Sequence, residues 1–341
     1  MLFLEGSRMK QLNFIRRGKL SWLEVPEPKL KDGIEAIVKP LYVSRCDLDF
    51  GIIYGATPLP GPIALGHEMV GEISELGEDV KNFRIGDLVM VPWHINCGSC
   101  SHCNKGLLAF CSSVADSPGY GFGYEWGGAL QELVRVPYAN SMLKKIPKGV
   151  LPEQAVSAAD NLADGYRCVA PYLKENPAQS VLILGGVGSC GLYAVESAIA
   201  LGVKPVFTDT DLSRLELAKQ LGAEAIEAPH SESPGKFDLV VDSTNTRAGL
   251  ITALESLEPG GTCACVSVHF KNDISVPYWK MYNTGVTLKV GRANVGAYTE
   301  EIFDLISEGR LRPEKITTHA IHWKDAVEGY GQRATKLLVK F

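Results

Sequence analysis

Apolar residues fall into two regimes along this chain. From Met9 to Val91 they come in short runs, at 19–25, 35–43, 69–76 and 87–91, separated by Gly, Pro and Asp. Runs of that length bounded by turn residues predict strands of an antiparallel barrel. The segments Gly77-Glu78-Asp79 and Ile85-Gly86-Asp87 supply the backbone freedom of tight reversals. After Leu162 the pattern changes: strand-like runs at 180–184, 205–208, 238–242, 262–268 and 286–290 alternate with helical stretches at 190–201, 212–221, 247–257 and 299–307. That alternation predicts a parallel sheet covered by helices on both faces. From Arg312 onward short strand-like runs return, among them Lys336-Leu337-Leu338-Val339, and are expected to rejoin the first domain.

The expected architecture is therefore α/β, with residues 1–157 and 298–341 forming an antiparallel barrel-like domain and residues 158–297 a doubly wound parallel sheet. A chain of 341 residues has room for two domains of ~150 residues. Residues 1–8 read as a peripheral extension.

A net charge of −5 leaves no basic surface for nucleic acid or anionic membrane, so a small-molecule partner is expected. The most apolar run, 181–203, contains five glycines as well as Ser189 and Glu196, and breaks into a strand and a helix instead of a membrane span. Nine cysteines, four of them in one short stretch, fit metal ligation in a reducing cytoplasm better than a disulfide framework.

That stretch carries Cys97, Cys100, Cys103 and Cys111, the spacing Cys-x2-Cys-x2-Cys-x7-Cys. Four thiolates this close can close a tetrahedron around Zn²⁺ with no open position, as a structural site requires. His102 lies between them and reads as exposed. A second motif is Gly186-Val187-Gly188-Ser189-Cys190-Gly191, entered from the run Val181-Leu182-Ile183-Leu184 and left by a helical pattern. There Gly186 allows the tight turn, Gly188 lets a pyrophosphate approach the backbone, and Gly191 lets helix and strand pack closely. Asp209, at the end of the next strand, is placed to accept bonds from an adenosine ribose. The third feature, Gly66-His67-Glu68, sets an imidazole beside a carboxylate, with a thiol before it at Cys46 and a carboxylate after it at Asp160. Cys168, Cys190, Cys263 and Cys265 read as buried small side chains.

With these residues in view, the chain from Met9 to Phe341 resembles the zinc-containing medium-chain alcohol dehydrogenases of the bacterial and archaeal type. The signature around their histidine is matched by Gly66, His67, Glu68, Gly71, Gly77 and Val80, and the four-cysteine lobe matches as well. The resemblance implies that Cys46, His67 and Asp160 hold a catalytic zinc, that Glu68 ligates when substrate is absent, and that Asp49 orients His67. It also places Arg214 on the adenosine ribose and makes Lys336 a cofactor-binding base. The alternatives are plain ones: Asp160 as a helix cap, Glu68 as a surface acid, Lys336 as a solvated edge-strand charge.

The resulting expectation is a cytoplasmic homodimer or homotetramer that uses zinc and prefers NAD, since Asp209 repels a 2′-phosphate. It transfers hydride between the cofactor and a primary or secondary alcohol, beside pocket residues Leu48, Phe50, Tyr54 and Trp93. Polyol and threonine dehydrogenases share these motifs. A zinc-free quinone or enoyl reductase lacks the metal ligands, and a non-catalytic module has no reason to keep both the open donor set and the ribose acid. One departure stands out: Leu48 and Gly51 occupy positions where the family carries proton-relaying Ser or Thr and His. Asp164, one helical turn beyond Asp160, is either a replacement relay or a residue that merely pairs with Arg167 or caps backbone amides.

Overall fold

The computed structural model describes residues 7–186 and 188–341. Most of the N-terminal extension, and Val187 of the glycine turn, lie outside these. The chain divides into two compact units, one of residues 1–160, 294–307 and 317–341 and the other of 161–293 and 308–316. The expected borders at 157 and 298 thus fall a few residues away, and 308–316, expected with the first domain, belongs to the second unit.

In the first unit β1 (Arg8–Arg16) pairs antiparallel with β2 (Lys19–Pro26) and with the short β4 (Ile63–Ala64). β1 was not among the expected strands, because its apolar residues are interleaved with Lys10, Gln11 and Asn13. A second sheet is centred on β3 (Ala36–Ser44) and β5 (Glu68–Leu76), with β6 (Leu88–Val91), β7 (Val134–Val136) and β8 (Lys144–Lys145) added at its sides. Pro40 lies within β3, and the β3–β5 register shifts between Pro40 and Tyr42. A ring without an N–H cannot join a regular ladder, so the irregularity falls there. Leu12, Val38, Val43, Leu65, Met69, Val89 and Val91 are buried in one core shared by the strands.

The second unit is a six-stranded parallel sheet in the order β11 (Glu224–Glu227), β10 (Val206–Asp209), β9 (Val181–Leu184), β12 (Phe237–Asp242), β13 (Leu257–Cys265) and β14 (Thr287–Val290). All four residues of β9 are buried, as an unbroken Val-Leu-Ile-Leu run at the centre of a two-sided sheet should be. β11 escaped the pattern because its two central apolar residues sit between exposed glutamates at a sheet edge. The helix Leu212–Leu221 starts where Asp211 accepts from the amides of Ser213 and Arg214, and stops at Gly222.

The chain then returns to the first unit. β15 (His319–His322) pairs parallel with β16 (Leu337–Lys340), and β16 joins β3 antiparallel. That single parallel pairing makes the sheet mixed where a purely antiparallel one was expected.

Candidate active site

Cys46 caps the helix Asp47–Ile53, its Sγ accepting from Leu48 N at 3.4 Å. His67 directly precedes β5, and Asp160 follows the 3-10 turn Val156–Ala159. One ligand atom from each of these three residues lies within 4.8 Å of the others. The approach of His67 depends on Gly66, whose φ is +85° and whose added Cβ would stand 3.0 Å from Leu130 Cγ.

Side chains from distant segments hold this arrangement. His67 Nε2 is 3.2 Å from Asp160 Oδ2, and Nδ1 is 3.5 Å from Asp49 Oδ1. The second contact is longer than a hydrogen bond and acts electrostatically. Tyr330 donates its hydroxyl to Asp49 Oδ2 at 2.6 Å. Tyr330 is itself pinned by buried Arg45, which donates to the carbonyls of Tyr330 and Gln332 at 2.6 Å. Phe122 lies with its ring 4.7 Å from the imidazole and 5.8 Å from that of Trp93. Sequence reasoning missed Tyr330, Arg45 and Phe122, which belong to no spaced motif.

Burial opposes a charge on His67, but Asp49 and Asp160 outweigh it and raise the imidazole to about 10. Burial, and then the carboxylates of Asp160, Glu68 and Asp49, push the Cys46 thiol well above its ordinary value. A thiol that resists ionising and an imidazole that retains a proton both reflect excess negative potential in a buried cage. A divalent cation reverses both tendencies, so this donor set fits Zn²⁺.

Cys97, Cys100, Cys103 and Cys111 form the other such group, their sulfurs also within 4.8 Å of one another. The amides of Cys97, Cys100 and Cys103 donate to neighbouring sulfurs at 3.3 to 3.5 Å, and Ser113 Oγ donates to Cys97 Sγ at 3.4 Å. His102 is exposed and its Nδ1 faces Phe110 O at 2.6 Å, away from ligation.

In the second unit a Cβ on Gly186 would collide with Ser243 O and stand 2.6 Å from Thr244 Cα, and one on Gly191 would stand 2.5 Å from Ser243 Oγ. The turn after β9 thus packs as tightly as a phosphate cradle needs; Gly188 has φ +101°. Asp209, fully buried at the end of β10, accepts from Thr210 N at 2.7 Å and from Arg214 Nε and Nη2 at 2.8 Å.

Three expected residues are engaged with protein partners. Lys336 is no solvated edge charge: it is fully buried, its Nζ 2.7 Å from Glu68 Oε1. Glu68 is equally buried, so it is not a surface acid either, and it stands outside the convergent donors. Burial raises its carboxyl above the ordinary range while Lys336 opposes the rise. Asp164 Oδ1 accepts from Arg167 Nε at 2.5 Å, the second of the two roles open to it.

An open and a closed metal-donor set in a mixed-sheet unit, together with a parallel sheet bearing a glycine turn and a terminal acid, define the class of zinc-dependent dehydrogenases. Comparison with known proteins agrees. The alcohol dehydrogenase GroES-like domain matches residues 31–148 and the zinc-binding dehydrogenase domain residues 189–308. A Mycobacterium tuberculosis protein described as a probable zinc-binding alcohol dehydrogenase is 34% identical over 89% of this chain and 80% of its own length. The L-threonine 3-dehydrogenase of Escherichia fergusonii is 28% identical over 94% and 95%. The structure of alcohol dehydrogenase TADH from Thermus sp. ATN1 superposes with a TM-score of 0.88 at 31% identity, over 97% of this chain and 99% of that one. The chain belongs to the zinc-containing medium-chain alcohol dehydrogenase family, whose members use zinc to move hydride between a nicotinamide cofactor and an alcohol or carbonyl compound.

Proposed function

We propose that this chain is an NAD-preferring dehydrogenase of primary or secondary alcohols, with its catalytic zinc on Cys46, His67 and Asp160 and a structural zinc on Cys97, Cys100, Cys103 and Cys111. The observation that carries the reading is the convergence of a thiol, an imidazole and a carboxylate from three distant segments within 4.8 Å, beside a separate four-thiol set. Three protein donors leave a position for substrate, and four do not. Bound zinc supplies Lewis acidity that eases loss of the hydroxyl proton and, in reverse, polarises a carbonyl. Asp49, held by Tyr330, keeps the His67 ring oriented, and Phe122, itself packed against Trp93, covers the imidazole with an aromatic ring. The glycine turn and Asp209 are assigned to a nicotinamide dinucleotide, which supplies the hydride acceptor.

Preference for NAD follows from Asp209, since a fixed carboxylate repels a 2′-phosphate. Arg214 is held on that carboxylate by two bonds and so is restrained from reaching a phosphate. The 28% identity to an L-threonine 3-dehydrogenase keeps a hydroxy amino acid as the second reading of the substrate.

A homo-oligomer is the assembly we favour, since β14 ends the parallel sheet near exposed Tyr278, Trp279 and Tyr282. Among the described residues no helix is long and apolar enough to cross a membrane.

The test is a panel of alcohols, polyols and hydroxy amino acids assayed with NAD and NADP. Turnover of simple alcohols with NAD at higher kcat/KM than with NADP is expected. Equal efficiency with both cofactors would remove the Asp209 assignment, and turnover of threonine alone would select the second reading.

A further inference from the structure

In the second unit the helix Asn161–Arg167 is joined to three loops at the carboxyl ends of the parallel strands. At its first residue, Asn161 Nδ2 donates to Ser189 Oγ at 3.1 Å, within the glycine turn after β9. At its last, Arg167 Nη2 donates to the carbonyls of Cys265 at 3.1 Å and Gly291 at 2.6 Å. Cys265 is the last residue of β13, and Gly291 is the residue after β14.

Asp164, on the same helix, fixes the guanidinium through Nε, and the two side chains are only 15% and 9% exposed. The helix also lies hard against the helix Cys190–Ala200, because a Cβ on Gly165 would stand 2.7 Å from Ala194 N and 2.9 Å from Cys190 O. A planar guanidinium can serve two carbonyls and a carboxylate at once, which a lysine ammonium on a flexible stem does with far less geometric control.

Ligands of such sheets bind beyond the carboxyl ends of the strands, with the two halves of a dinucleotide on either side of the central strand. Asp209 on β10 marks the adenosine side, so β12, β13 and β14 bound the side of the other half.

We propose that Arg167, fixed by Asp164, is a positioning residue for the nicotinamide half of the cofactor. It holds the ends of β13 and β14 at a set spacing and, through Asn161 on the same helix, in register with the glycine turn. The inference rests on the dinucleotide reading of this sheet, and it gives Asp164 a role other than proton relay.

The test compares full-length parent, Arg167→Ala, Arg167→Lys and Asp164→Asn by equilibrium binding of NADH and of ADP, and by kcat and KM for NAD. ADP reports the adenosine half alone. For Arg167→Ala the expected outcome is NADH binding weakened about tenfold with a fall in kcat, while ADP binding stays within about twofold. Asp164→Asn should fall between parent and Arg167→Ala. Arg167→Lys retains a buried cation, so it keeps the test readable if the alanine variant does not fold, and it should show the same split in weaker form.

Proportionate weakening of NADH and ADP would mean that Arg167 only supports the unit as a whole, and would overturn the proposal. NADH affinity and kcat unchanged in every variant would overturn it too. A parent that binds no NADH would instead sink the dinucleotide reading, and this inference with it.

Discussion

The four thiols of the 97–111 lobe are held by backbone amides drawn from the same short stretch, whereas Cys46, His67 and Asp160 depend on side chains brought from as far away as Tyr330. The first set is local, and its supports are mostly main-chain amides, which most substitutions leave in place, with the Ser113 hydroxyl added at Cys97. The second is assembled by the fold and, apart from the Leu48 amide at Cys46, its supports are replaceable side chains. The closed set should therefore tolerate changes in its surroundings, while the open set should be sensitive to residues that never touch the metal.

The sharpest test removes one donor from each. Cys100→Ser and Asp160→Ala should each leave one zinc per chain, but with opposite consequences. The cysteine variant should lose much of its resistance to heat, since a closed zinc site contributes folding free energy directly. The aspartate variant should keep its melting temperature to within a few degrees and lose activity on the order of a thousandfold or more. Elemental analysis together with calorimetry decides. If Asp160→Ala retained two zincs and full activity, the open set would need a different third donor.

A second test turns on protons. When mild chelation leaves only the closed-set zinc, His67 carries a pKa raised to about 10 from 6.5. Stability from a raised imidazole is fully present below its unfolded value and is lost as pH climbs through the folded one. Glu68, raised by burial against the pull of Lys336, acts in the same direction beginning at lower pH. The chelated protein should thus lose on the order of several kcal/mol relative to the two-zinc protein between about pH 6.5 and about 10. Urea midpoints across that range measure it, and parallel curves for the two forms would show that these groups do not titrate as placed.

Tyr330→Phe is the third. It removes the 2.6 Å bond to Asp49, whose carboxylate faces His67 Nδ1, and adds no bulk. Supports of this kind are worth about 10- to 100-fold in metal affinity or activity. Zinc at the open set should exchange faster with a chelating dye while the closed-set zinc stays unchanged. Equal acceleration at both would point to general loosening instead of a specific support.

The same contrast explains what could be read before folding. The four-cysteine spacing and the glycine turn between β9 and its helix are complete within short stretches, so composition and order were enough to locate them. Strands β9, β10 and β12 were legible for the same reason, each containing adjacent apolar residues within one short run. The open set needed resemblance, because nothing in the spacing of residues 46, 67 and 160 requires a thiol, an imidazole and a carboxylate to meet. Lys336 shows the limit most plainly. Its flanking Leu-Leu-Val run predicts a strand correctly, but alternation cannot reveal that Glu68, 268 positions away, receives the ammonium in a fully buried pair. Arg45 and Tyr330 were invisible to pattern because their value lies in carbonyls and a carboxylate that only the tertiary fold brings within reach.

The smallest expected effect probes the closed set by the same logic. Ser113 donates its hydroxyl to Cys97 Sγ at 3.4 Å, and this bond helps hold the Cys97 thiol below its ordinary value although burial pushes the other way. Ser113→Ala removes that donor. Two backbone amides, from Ser99 at 3.5 Å and Cys100 at 3.3 Å, still point at the same sulfur. A single hydrogen bond near the surface, with two main-chain donors remaining, should be worth no more than about 0.5 to 1 kcal/mol. The prediction is a melting temperature lowered by no more than a few degrees, two zincs retained, and kcat and KM unchanged. Against Tyr330→Phe, which should disturb zinc exchange at the open set tenfold or more, that near-silence is the signature of a site supported by its own backbone. Loss of the closed-set zinc in Ser113→Ala would show that the hydroxyl, and not the amides, carries the thiolate, and the distinction between the two sets would fail at its stronger end.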